Sequence, residues 1–353
     1  MNNNICIDNR RIGVDQPPYI IAEISANHNG NINNALALIK AAKQAGADAV
    51  KIQTYRADTI TLKSDKPEFK ISGGLWDGNT LYQLYESAYT PWEWHKELFD
   101  YARKQGITLF SSPFDNSAVD LLEELNAPAY KIASFEAIDL PLIKYVASTG
   151  KPMIISTGMA NEQEISEAIE AAKSAGCKQL AILHCVSGYP APASDYNLHT
   201  LTDMQSRFGL VTGLSDHTID NTTAITAVAL GAAIVEKHVT LDRLGGGPDD
   251  SFSIEPKELS QLCQSAGTAW SAMGLVSYSQ ASSEQQNIQF RRSLYTTKSI
   301  KKGDVLSTNN IGSVRPGYGL APKWLDEVLG SKAKIDIDFA TPLSWELISK
   351  TST

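Results

Sequence analysis

Eight short runs of apolar, often β-branched residues recur between residues 19 and 240. They read YIIAEIS (19–25), AVKIQTY (49–55), ITLFSSP (107–113), AYKIAS (129–134), PMIIST (152–157), LAILHCV (180–186), LVTGLSD (210–216) and IVEKHVT (234–240). Between them the apolar period lengthens. Ala35, Leu38, Ile39 and Ala42 fall at i, i+3, i+4 and i+7, as do Ile165, Ala168, Ile169 and Ala172, which predicts amphipathic helices. Asn161 and Glu164 have the spacing of a capping box, and Gly46, Gly106 and Gly176 stand where helices should end. Strands apolar throughout, each followed by a helix, belong in a parallel sheet covered on both faces. Eight such units in about 250 residues predict a closed (β/α)8 TIM barrel, an α/β fold. An open doubly wound sheet is the alternative, and the lack of GxGxxG after the first strand weighs against it.

The texture changes after a last helix near 256–273. SYSQASSEQQNIQ (277–289) is polar and reads as a linker. The expected organisation is a barrel domain over 1–276, this linker, and a small β-rich domain over 290–353. So short a module buries little core, and is expected to lean on something larger.

Composition narrows the function classes. The chain has 353 residues, 42% hydrophobic and 20% charged, with a net charge of −8. It lacks the basic excess that nucleic acid or an anionic membrane would demand. MNNNICIDNRRIG at the start contains no signal-like apolar run, and no apolar stretch of membrane-spanning length follows, so a cytoplasmic protein is expected. Cys6, Cys177, Cys185 and Cys263 form no CxxC pair and read as free thiols rather than a disulfide or zinc framework.

In barrel enzymes the chemistry sits at the carboxyl ends of the strands. Here those ends carry Glu23, Asn27, His28 and Asn29; Lys51 and Gln53; Ser111 and Ser112; and Lys131, Ser134 and Glu136. The later strands add Ser156 and Thr157; His184, Ser187 and Tyr189; Ser215 and His217; and Glu236, Lys237 and His238. Four of the six histidines thus fall on one rim. Neighbouring strands lie about 4.8 Å apart, so His217 and His238, ending adjacent strands, can share one ion. Two imidazoles with open positions suit a divalent cation, Mn²⁺ first with Mg²⁺ or Co²⁺ as alternatives, rather than a closed zinc site. Lys51 and Lys131, ringed by Ser112, Ser134, Ser156 and Ser215, would make a phosphate cradle of cations and O–H donors. Glu23 and Glu136 either carry protons or pair with those lysines. GGGPDD (245–250) reads as a flexible loop whose Asp249 is in reach of a polyol.

Together AEISANHNG (22–30), VKIQTY (50–55), SSPFD (111–115), YKIAS (130–134), ISTGMA (155–160), GLSDHT (213–218), EKHVT (236–240) and GPDD (247–250) resemble the sialic acid synthase family, the phosphoenolpyruvate-dependent nonulosonate synthases. RRSL (291–294), KGDVL (302–306) and RPGYGL (315–320) resemble that family's antifreeze-like (SAF) C-terminal domain. The resemblance covers nearly the whole chain. It implies condensation of phosphoenolpyruvate with an N-acetylated amino sugar, phosphate release, and a domain-swapped homodimer.

Carried over by motif, His217 and His238 become the metal ligands and catalytic groups beside Glu23 and Glu136. Phosphoenolpyruvate would meet Lys51, Ser112, Lys131, Ser134, Ser156 and Ser215. The sugar would meet Gln53, Tyr189, Asp249 and, from the partner, Arg315. Ser187 stands where N-acetylneuraminate synthases have Asn, and Ser112 where they have Thr, so the contact at 187 is in question. The long segment 73–95, rich in Trp, Tyr and Leu, and ASFEAIDLPLI (133–143) resemble family members that take a 6-deoxy, diacetamido sugar. For Trp92 and Trp94 the plainer reading is helix packing. The rivals are a Schiff-base aldolase with Lys131 as nucleophile and a non-catalytic sugar-binding barrel.

Overall fold

The change of period along the chain becomes a change of layer in space. The computed structural model describes residues 4–349; residues 1–3, part of the segment read for a leader, and 350–353, the end of the small-domain stretch, lie outside it. A short antiparallel hairpin, β1 (Ile5–Ile7) and β2 (Arg10–Ile12), comes first. Eight strands follow: β3 (Tyr19–Glu23), β4 (Ala49–Thr54), β5 (Thr108–Pro113), β6 (Tyr130–Ile132), β7 (Met153–Ser156), β8 (Leu180–Cys185), β9 (Val211–Asp216) and β10 (Ile234–His238). They close into a parallel barrel in sequence order, with β10 pairing β3. This is the (β/α)8 fold expected from the apolar runs.

The helices alternate with the strands: α1 (Ile32–Ala45), α2 (Ala57–Ile60), α3 (Leu81–Ala88), α4 (His95–Gln105), α5 (Asn116–Glu124), α6 (Leu140–Ser148), α7 (Glu162–Ser174), α8 (His199–Phe208), α9 (Thr222–Ala229) and α10 (Pro256–Met273). Ala35, Leu38, Ile39 and Ala42 are all buried, as the periodicity requires. Asn161 and Glu164 form the capping box, and Gly46 closes α1 at a φ of 96°, a conformation open to glycine at little cost. Both α2 and α3 interrupt the connection between β4 and α4, which is the longest excursion on the strands' carboxyl side.

Two apolar clusters divide the barrel unit. One fills the space between strands and helices, and includes Ile20, Val50 and Ile52 on the outward face of the strands. The other fills the barrel, with Ile21, Ala49, Phe110, Ile154, Leu183 and Ile234 pointing inward. Ile5, Ile7 and Ile12 join that inner cluster, so the hairpin seals the end of the barrel away from the loops. Gly213 lies in the same layer. A Cβ there would overlap the Ile234 carbonyl oxygen and come within 2.7 Å of Leu183 Cδ2, so no larger residue fits.

The chain divides after Gly274. The second unit, from Leu275 on, opens with the exposed stretch read as a linker, within which Ser282–Phe290 forms a 3₁₀ run. It then pairs β11 (Ser293–Thr296) with β12 (Ile311–Val314), and β13 (Lys332–Ala333) with β14 (Ile348–Ser349); one short helix, α11 (Leu325–Val328), lies between β12 and β13. It has a core of its own, in which Leu294, Ile300, Leu306, Ile311, Val328, Ile337 and Leu343 are buried.

Candidate active site

Every barrel strand changes chemistry along its inner face. Two residues beyond Ile21 stands Glu23; beyond Ala49, Lys51 and then Gln53; beyond Phe110, Ser112; beyond Ala129, Lys131. Likewise Ile154 leads to Ser156, Leu183 to Cys185, Gly213 to Ser215, and Ile234 to Glu236 and His238. The period of two carries each strand from an apolar floor to a polar mouth. Register then sets neighbours level: His238 lies beside Glu23, Glu23 beside Lys51, Gln53 beside Ser112, and Glu236 beside Ser215.

The two lysines are fully buried and paired. Lys51 forms an ion pair with Glu23 and lies 3.6 Å from Glu236 Oε1, while Lys131 Nζ donates to the same oxygen at 3.1 Å. Ser215 Oγ donates to it as well, at 3.2 Å, and Lys51 donates to Ser112 Oγ at 3.4 Å. Two ammoniums and two carboxylates make a formally neutral set, the condition under which such charges tolerate burial. Burial works against every charge here. The carboxylates nevertheless hold Lys51 above the usual lysine range, the lysines hold Glu236 below the usual carboxylate range, and Lys131 is left lowered.

Hydroxyls without partners surround this set. Ser156 Oγ and Ser187 Oγ are buried and have no hydrogen-bond partner among the described residues. Ser134 and Ser187 converge on Gly158, where a Cβ would overlap Ser187 Oγ and come within 2.7 Å of Ser134 Oγ. Buried polar atoms left open at the mouth of a barrel are prepared for a ligand.

His217 and His238 face each other with ring centroids 5.3 Å apart. His217 Nδ1 is 2.8 Å from the Val186 carbonyl, which can only accept, so Nδ1 carries a proton, and in the neutral ring Nε2 keeps its lone pair. Burial, then His217 and the nearby lysines, push His238 well below the usual imidazole range, so it stays neutral; its Nδ1, 3.6 Å from Asp249, has no hydrogen-bond partner among the described residues. For His217 burial is outweighed by Cys185, the Val186 carbonyl and Glu236, which hold it above its usual range. The ring of Tyr189 sits 4.4 Å from that of His217. The pair fits a cation that completes its shell from outside the chain. Among the described residues no group of three or more His, Cys, Asp and Glu side chains is arranged to hold a metal.

Glu136 stands apart from the lysines. Burial, then Asp139, raise it to about 7, and its Oε2 has no hydrogen-bond partner among the described residues. Asp249, beside Gln53, Tyr189 and His238 on one cavity, is likewise raised to about 7 by burial and by Glu23. That cavity, of about 230 Å³, is roofed by Trp76, Leu84, Tyr85 and Phe135.

Several expectations need correction. His28 packs its ring against Trp94, with Nδ1 accepting from the Gly30 N–H, and His184 turns to the helix side and meets the Tyr196 carbonyl. Lys237 points away from the mouth into a buried pair with Asp216, at 2.7 Å. The glycine loop is tethered rather than loose: Asp250, itself buried and bonded to Thr240, accepts from Gly247 N–H at 2.7 Å and from Asn29 Nδ2 at 3.0 Å. Of the two choices for the acids, Glu23 pairs with a lysine and Glu136 does not. Trp92 donates to the Tyr55 carbonyl outside the cavity, and Trp76 is the indole that reaches it. Glu236 is placed on the rim by the sequence but given no role there, and Cys185 is read only as a free thiol; counting inward positions back from His238 and Ser187 turns both into the site. Arg315 belongs to the second unit, in the segment after β12.

Fold and mouth together define a (β/α)8 barrel that gathers buried lysines, carboxylates and hydroxyls beside a pair of imidazoles. A family model described as the NeuB family matches residues 38–278, and one described as the SAF domain matches 291–349. Pseudaminic acid synthase from Campylobacter jejuni strain 81-176 is 45% identical over 329 residues, 93% of this chain and 96% of that protein. N,N'-diacetyllegionaminic acid synthase from Campylobacter jejuni NCTC 11168 is 40% identical over 318 residues, 89% of this chain and 95% of that protein. Among solved structures, an N-acetylneuraminic acid (sialic acid) synthetase from Leptospira borgpetersenii in complex with citrate superposes with a TM-score of 0.73 at 32% identity, covering 82% of this chain and 97% of that one. The chain belongs to the NeuB family, and with it to the phosphoenolpyruvate-dependent synthases whose motifs it carries.

Proposed function

We propose that this enzyme condenses phosphoenolpyruvate with 2,4-diacetamido-2,4,6-trideoxy-L-altrose to give pseudaminic acid and phosphate. The observation that carries this reading is the juxtaposition, at one barrel mouth, of the imidazole pair, the lysine and serine cradle, and a cavity with an apolar roof. The relative that makes pseudaminic acid is also the more similar of the two compared, 45% against 40%. A legionaminic or N-acetylneuraminic acid product is the alternative within the family.

Lys51 and Lys131, with Ser112, Ser134, Ser156 and Ser215, would hold the phosphate and fix the enol in line with the sugar. Because both lysines already face carboxylates, a phosphate adds negative charge that the cradle alone does not balance. A divalent cation held by His217 and His238, manganese by preference, would supply Lewis acidity at the aldehyde oxygen of the open-chain sugar. C3 of phosphoenolpyruvate attacks the aldehyde carbon and leaves cationic character at C2. Water adds there, and the adduct collapses with C–O cleavage, releasing phosphate. Glu136, close to half-ionised at neutral pH, and Glu23 would steer that water and its protons. Gln53, Tyr189 and Asp249 would orient the sugar, with Arg315 delivered by the partner of a domain-swapped homodimer.

A phosphate-release assay tests this directly. Phosphoenolpyruvate with the diacetamido trideoxy altrose should turn over, and N-acetylmannosamine and the legionaminate-pathway sugar should be at least ~10-fold poorer, the discrimination an apolar pocket supplies per missing or added group. EDTA should abolish turnover and Mn²⁺ restore it. Full activity in chelator, or equal use of all three sugars, would overturn the corresponding part. Borohydride trapping with pyruvate should find no imine on Lys131.

A further inference from the structure

The cavity beside His238 is lined by two unlike sets of side chains. Gln53, Glu136, His238 and Asp249 face it from below, while Trp76 and Leu84 face it from the excursion between β4 and α4. Trp76 is only half-buried, and a second cavity of about 350 Å³ lies on its other side, sharing Trp76, Leu84 and Pro248 as walls. An indole with open space on two sides is not held there by core packing. Its position is set by two directed contacts. Trp76 Nε1–H donates to the Pro248 carbonyl at 3.0 Å, and its ring lies 5.7 Å from that of Tyr189. Pro248 immediately precedes Asp249, the carboxyl beside His238.

We infer that Trp76 is the specificity-determining residue of this site: its indole is the wall that accepts the methyl groups of a deoxygenated, N-acetylated sugar, and its N–H fixes the loop bearing Asp249. The inference rests on the reaction proposed above. A sugar hydroxyl turned toward this wall would lose water and gain no partner, whereas a methyl group there leaves water for an apolar surface. One such group in an apolar pocket changes kcat/KM by about 10- to 200-fold.

The test compares wild type, Trp76→Ala and Trp76→Phe at saturating phosphoenolpyruvate, with the diacetamido trideoxy sugar and with N-acetylmannosamine. Trp76→Ala removes wall and N–H together, so kcat should fall for both sugars as in Trp76→Phe, while kcat/KM should fall at least ~10-fold further for the deoxy sugar than for the hydroxylated one, that excess through KM. The KM for phosphoenolpyruvate should not move. Trp76→Phe keeps a wall and drops the N–H, so it should retain the preference while kcat falls. An unchanged ratio between the sugars in Trp76→Ala, or equal losses on both, overturns the inference. If that variant does not fold, Leu84→Asn puts a polar group on the same wall and should shift the ratio in the same direction; no shift is again fatal. Wild type that releases no phosphate with either sugar refutes the reaction instead. Calorimetric titration with the deoxy sugar then decides the wall: Kd at least ~10-fold weaker in the variant upholds it, and equal Kd sinks it.

Discussion

Glu136 shows how much one side chain's surroundings decide. Burial with no cation bonded to it raises its carboxyl to about 7, whereas Glu23 and Glu236 sit against lysines, which hold Glu236 below the usual carboxylate range despite its burial. Below about pH 7 Glu136 carries a proton, and above it the carboxylate dominates. If it draws a proton from the attacking water, kcat should rise through pH 7 and level off, and Glu136→Gln should remove that limb. A rate that falls over the same range would assign it the acid's part. Its stability effect has the opposite sign to that of a paired carboxylate. Between the ordinary value of 4.5 and about 7 the folded chain holds a proton the unfolded chain has lost, so stability declines as pH rises through that window. At this scale the identity of the histidine pair was legible from spacing alone. The role of Glu236 was legible only through parity, since its sequence neighbours Lys237 and His238 point to opposite faces. That Glu136 would be unpaired was not legible, because both glutamates precede or follow lysine-bearing strands and only distance separates them.

At the scale of elements, strands and helices followed from period because each strand is buried on both faces and each helix on one. Harder to read were the features made by loops meeting loops: the hairpin plug, the tether of Asp250, and the indole wall set by the segment before α3. These depend on pairs such as Asn29 with Asp250, 221 positions apart, which no local pattern carries. Gly158 is the sharpest case. The loop after β7 passes so close to Ser134 and Ser187 that any side chain there must displace the two hydroxyls. Gly158→Ala should therefore lower kcat/KM for phosphoenolpyruvate on the order of 10²-fold, the effect of misplacing a binding group by about an ångström. Since the loop is at the mouth rather than in the core, the thermal midpoint should hardly change. A variant with normal kinetics would mean that Ser134 does not hold the phosphate.

At the scale of the molecule, the barrel unit carries the imidazoles, the lysines and both proposed proton carriers, while Arg315 belongs to a unit with its own core after the exposed stretch that follows Gly274. A catalytic barrel that needed nothing further would tolerate loss of that arginine. The proposed exchange of small domains between subunits requires the opposite, and it can be separated from a merely structural requirement by mixing two dead variants. Arg315→Ala leaves the barrel intact and His238→Ala leaves the small domain intact. In a swapped dimer one of the two sites in each mixed pair combines the intact barrel of the first with the intact arginine of the second. Random reassortment after co-refolding or co-expression should then restore about a quarter of wild-type activity, because half the dimers are mixed and each has one working site. Without exchange, every site keeps one lesion and the mixture stays inactive. Activity recovered in proportion to the mixed dimer, measured after separating the three species by differently charged tags, would locate Arg315 in the partner's site. Silence in the mixed fraction would leave each chain completing its own site and would refute the exchange.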